Sequence, residues 1–122
     1  MIPWATILRH APALVSQSGD GHGQGAIFHA GTAHMAAPED PAAVGEDVYI
    51  DCIGLPTDSM IPPQVAIGGR MAAVLVVHRA SGGAGMTQVR VRVPGGIAPG
   101  PVVPVRLTYM DRPSNEVTIG VQ

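Results

Sequence analysis

The sequence predicts an all-β protein, an antiparallel sandwich of about seven strands with little or no helix. Three observations carry that reading. Apolar residues recur with period two rather than 3.6, as in half-buried strands. Glycine (16) and proline (12) together make up nearly a quarter of the 122 residues, too much punctuation for a helical fold. Only Trp4, Phe28, Tyr49 and Tyr109 are aromatic, so the core is built from Val, Ile, Leu, Met and Ala.

The elements follow in order. Residues 1–45 form a loop-rich segment with one or two short strands packing on the sandwich. Its apolar pieces are Trp4 to Leu8, Ala13 to Val15 and Gly25 to His29, and Trp4 is expected to cap the core. The sandwich core then occupies 46–122, with strands expected near 47–53, 64–68, 71–79, 87–93, 102–109 and 116–121. Val48, Ile50 and Cys52 share one face of the first, opposite Tyr49, Asp51 and Ile53. Gly68-Gly69 reads as a tight primed turn joining Val65–Ile67 to the next strand. In that strand, Val74 to Val77 reads as a buried apolar run. Val89, Val91 and Val93 alternate with Arg90 and Arg92; Val103, Val105, Leu107 and Tyr109 alternate with Pro104, Arg106 and Thr108. Asp111 to Asn115 forms the turn before Val117, Ile119 and Val121.

Charge narrows the partners. Seven basic residues, all arginine, face nine acidic ones for a net charge of -2. Without a basic excess or stacking aromatics, nucleic acid is not an expected partner. No segment has the roughly 18–20 apolar residues of a membrane span. Pro3, Arg9, His10 and Pro12 interrupt the N-terminal stretch, which reads as lacking a signal peptide. A single cysteine, Cys52, excludes an internal disulfide.

Several short stretches, taken in order, carry a family resemblance. They are Gln24-Gly25-Ala26-Ile27, Pro41 to Ile50 followed by Gly54-Leu55, Val65 to Gly69, Val89 to Pro94, Gly100 to Val105 and Ser114 to Ile119. In that order and spacing the chain, from about Ala11 to Gln122, resembles the uncharacterised Solibacter-type C-terminal domain of exported acidobacterial proteins, a bacterial immunoglobulin-like module. The resemblance implies an immunoglobulin-like sandwich at the end of a longer exported protein, and it brings no catalytic residues. Pro56 stands where the family usually has a second glycine after Gly54-Leu55. Of the preceding sandwich domain usual in the family, only the last strand, near Ala13 to Val15, is expected to survive here, so the chain reads as a truncated frame.

Candidate chemistry is sparse. Asp20, Glu39, Asp40, Glu46, Asp47, Asp51 and Asp58 concentrate in the first half, and oxygen-rich loops of this kind suit calcium, although no EF-hand spacing is present. His22, His29 and His34 lie close together and could ligate zinc or copper with a carboxylate completing the shell. Surface charge and loop histidines are the plainer readings. No serine sits in a nucleophile elbow. A dispersed triad would need a serine with His22 or His78 and Asp51; Asp51 reads more simply as a solvent-facing charge, and Cys52 as a buried, inert thiol. Arg79, Arg90, Arg92 and Arg106 would line outer strand faces as a guanidinium stripe.

Two functions from different classes result. The first is a non-catalytic accessory module that meets neighbouring domains, or a second copy, through strand edges. The other is a very small metal-assisted (calcium) hydrolase of lactones or esters, its acids and histidines drawn from residues 16–58.

Overall fold

A computed structural model describes residues 12–32, 34–53, 63–79, 86–110 and 112–122. Asp58 and the apolar piece from Trp4 to Leu8 lie outside these. The described chain is all-β, with nine strands and no helix: β1 (Ala13–Leu14), β2 (Ile27–His29), β3 (Asp47–Ile53), β4 (Gln64–Ile67), β5 (Arg70–Arg79), β6 (Met86–Arg92), β7 (Gly100–Tyr109), β8 (Arg112–Pro113) and β9 (Val117–Val121). Among the described residues there is accordingly no helix long and apolar enough to cross a membrane.

Every strand pair is antiparallel, and the order runs β1-β3-β6-β5-β4-β7-β8, with β2 also on β3 and β9 also on β7. One layer is β2, β3, β6 and the second half of β5; the other is the start of β5 with β4, β7 and β9. Strand β5 serves both. Its residue Ala72 pairs with Val65 of β4, whereas Ala73 pairs with Arg92 of β6.

Alternation decides which side faces the core. On β3, Val48, Ile50 and Cys52 are completely buried, while Tyr49 and Asp51 are half-exposed on the other face. Val89, Val91, Val105, Leu107, Val117 and Ile119 are likewise fully buried. Burying each such side chain contributes about 1.5–3 kcal/mol, which is how a core built on aliphatic side chains is sustained. Gly68 and Gly69 have φ of 61° and 82° between the paired residues Ile67 and Arg70, the two positive values a primed two-residue turn demands.

The Val74–Val77 run departs from the sequence reading. A bulge falls between Val74 and Val76 as β5 changes partners, so Leu75 and Val76 are 40% and 46% exposed, while Val74 and Val77 are only partly buried.

The early segment is also more tightly built than a loosely specified loop. Ala36 N donates to Ile27 O of β2 at 2.8 Å, and Gly120 N of β9 donates to Ala36 O at 3.2 Å. Ala42 N then donates to Gly120 O at 2.9 Å, and Gln122 N to Ala42 O at 2.9 Å. Backbone pairing thus passes from β3 through β2 and Ala36 to β9, and the two layers meet as a nearly closed barrel. Gly120 is required at the seam: a Cβ there would lie 2.5 Å from Ala37 O and 2.7 Å from Ala37 C.

Candidate functional site

The loop after β1 holds the first candidate residues. Ser16, almost completely buried, accepts hydrogen bonds at its Oγ from Gly19 N (3.1 Å) and Gly21 N (2.8 Å). Asp20 Oδ1 accepts from Ser18 Oγ (2.6 Å), His22 N (3.0 Å) and Ser16 Oγ (3.3 Å). These bonds, led by that from Ser18, hold the Asp20 carboxyl below its ordinary range. The acid closes its own turn. Asn115 fastens the loop to the other end of the chain, donating from Nδ2 to Gly21 O at 2.7 Å. Between them lies an open groove of about 490 Å³, lined by Leu14, Ser16, Asp20, His22, Ile53 and Asn115 among others.

A second cluster surrounds His29 at the end of β2. Its Nδ1 contacts the Glu46 carboxylate, and its Nε2 stands 2.8 Å from Asp40 O and 3.5 Å from Asp40 Oδ2. Glu46 Oε1 accepts from Ala43 N at 2.9 Å. Burial alone would lower the affinity of the imidazole for its proton; the Glu46 and Asp40 contacts outweigh it and raise the pKa. The two carboxylates meet opposite nitrogens of the ring and therefore cannot share one ion with it. Among the described residues, no group of three or more His, Cys, Asp or Glu side chains is arranged to hold a metal ion.

The other metal candidates are dispersed. Glu39 is exposed on the loop tip, and exposed His34 contributes its main chain, receiving His29 N at 2.9 Å and donating to Thr32 Oγ1 at 3.1 Å. Asp47 belongs to the sheet face. It accepts from Arg90 Nη2 at 2.8 Å and Arg92 Nε at 3.1 Å, and these bonds, Arg90 first, lower its pKa. Arg106 faces Glu116 at 3.9 Å. Described guanidinium groups of the expected stripe are thus matched to acids on neighbouring strands.

Two residues of the dispersed triad share this face. Asp51 and His78 stand at one level of the sheet, on β3 and β5, with Gln88 of β6 paired to both. Gln88 Nε2 donates to Asp51 Oδ1 at 3.1 Å, and an amide is no proton relay. His22 sits apart on its loop. Asp51 lies on the outer face, as its strand parity suggests, but only half-exposed, and burial raises its pKa despite the Gln88 bond. Cys52 is fully buried, and burial, helped by the Asp51 charge, pushes its thiol up to about 12.

Sequence reasoning missed one feature of the same face. Val76, Arg90, Tyr49 and Phe28 form a transverse row across β5, β6, β3 and β2, each directly paired with the next. The Arg90 guanidinium carbon lies 5.7 Å from the Tyr49 ring centroid, and His78 meets the same ring edge-on at 5.9 Å. Register alone creates this row, and no local motif announces it. The chain matches no protein-family model, no curated protein and no solved structure.

Proposed function

We propose that this chain is a non-catalytic, immunoglobulin-like interaction module, appended to an exported protein, that works through the outer face of β2, β3, β6 and β5. The carrying observation is the transverse row of Phe28, Tyr49, Arg90 and Val76. Aromatic and arginine side chains are enriched where proteins meet, because they bring apolar area with a polar handle. Paired strands hold this row rigid, so little side-chain freedom is lost on contact. Val76, at its end, is exposed and supplies apolar surface.

The acids and histidines support the same reading, since Asp20, His29, Asp47 and Asp51 are engaged in holding loops and strands together. A metal-assisted hydrolase would need some of these groups free to activate water. Chromogenic esters and lactones, assayed with added calcium and with chelator, test the proposal. No turnover above buffer is expected. Chelator-sensitive hydrolysis that disappears in Asp20→Asn, with the fold intact by circular dichroism, would replace the module with the enzyme.

A further inference from the structure

His29 is bonded in a way that only one protonation state satisfies. Both ring nitrogens face acceptors: the Glu46 carboxylate at Nδ1, and at Nε2 the Asp40 carbonyl oxygen at 2.8 Å with the Asp40 carboxylate at 3.5 Å. A neutral imidazole has one N–H and one lone pair, so in either tautomer a lone pair would confront an acceptor. The imidazolium donates from both sides. Glu46 and Asp40 are the charged groups that face the ring among the described residues, one from the approach to β3 and one from the loop after β2.

The ring therefore ties together three pieces of chain: the end of β2, the approach to β3, and the 36–42 segment that carries Asp40. That segment is the seal on β9. Ala36 O receives Gly120 N at 3.2 Å, Ala42 N donates to Gly120 O at 2.9 Å, and Ala42 O receives Gln122 N at 2.9 Å. Both alanines are completely buried, so lifting the segment would uncover the β9 edge and the core beneath it.

We propose that His29 is a proton-operated clasp: with the ring protonated the 36–42 segment is locked against β9, and loss of that proton frees the segment and opens the strand edge. The direction follows from the chemistry. Burial disfavours the cation, the Glu46 and Asp40 contacts favour it more strongly, and the ring holds its proton above the ordinary histidine range. The clasp is closed below that raised value and loosens as pH rises through it.

Amide hydrogen exchange of the intact chain, corrected for intrinsic rates and followed from pH 5 to 9, provides the test. The Ala42, Gly120 and Gln122 amides are the reporters, and the Gly68 amide, bonded to Pro104 O on the edge of β7 that faces β4 and not β9, is the control. Reporter protection is expected to fall about tenfold or more as the His29 ring titrates by NMR, while Gly68 protection stays level. His29→Gln should abolish the step. Should that variant not fold, Glu46→Gln retains the ring, removes its charge partner, and should move the step to lower pH. The proposal is overturned if His29 titrates at or below about 6.5, the ordinary value, or if the reporters stay protected through its titration.

Discussion

Leu14 and Asn115, 101 positions apart, are joined like two strand residues, by a single side chain. Asn115 Oδ1 accepts from Leu14 N at 2.7 Å, and its Nδ2 donates to Leu14 O at 3.0 Å. The carboxamide copies the donor and acceptor of a peptide group, and its second N–H reaches Gly21 O. Asn115→Ala should therefore destabilise the fold by about 2–3 kcal/mol, several partly buried hydrogen bonds being lost at once. Asn115→Asp, which keeps the acceptor and loses both donors, should cost nearly as much. Urea unfolding at neutral pH measures both.

The barrel seam makes a sharper prediction. A methyl group at position 120 would press on main-chain atoms of Ala37 and Pro38, at 2.5–2.9 Å, and not on a side chain able to turn aside. Gly120→Ala should cost about 2–3 kcal/mol. Gly19→Ala tests a different effect: a Cβ there meets nothing, but φ is +84°, so strain alone should cost about 1 kcal/mol. Thermal unfolding of the two variants should rank them in that order.

Asp51 is half-buried at a cost to its charge, and its raised folded pKa sets the sign of its pH effect. An acid whose pKa rises on folding binds protons more tightly in the native state, so ionisation above the unfolded value, about 3.9, weakens the fold. Asp51→Asn keeps the shape and removes the charge. It should be more stable than the parent at pH 7, with the advantage vanishing below about pH 3.9. Denaturation midpoints at the two pH values decide it.

Cys52 should be silent in the native state. With its thiol pushed up to about 12 and fully enclosed, it presents almost no thiolate at pH 8. A chromogenic disulfide reagent should label it only as fast as the protein unfolds, and labelling should become rapid in denaturant. Prompt labelling of the folded protein would contradict this packing.

Much of the architecture was legible because it is periodic. The faces of β3, β6, β7 and β9 follow from alternating valine and isoleucine, and the β4–β5 turn from two adjacent glycines. What periodicity hides is any change of partner within one strand: Val74 to Val77 is uniformly apolar, yet the bulge turns Leu75 and Val76 outward. The site was less legible still. Nothing local marks Ala36 as a seam residue, because main-chain bonds carry it, and Asn115 looks like an ordinary turn residue until Leu14 is placed beside it. Histidine and acid counts drew attention to His29 and Asp40 as ligands, whereas which ring nitrogen meets which carboxylate is a matter of three-dimensional approach.

The bulged ribbon β5 has a final consequence. Because one continuous stretch of chain hydrogen-bonds to β4 at its start and to β6 thereafter, detaching either neighbour disturbs the registration of the other. A half-melted molecule would have to keep one sheet intact while its shared member came loose. Calorimetric and van't Hoff enthalpies of melting should therefore coincide, with both halves lost in a single cooperative event.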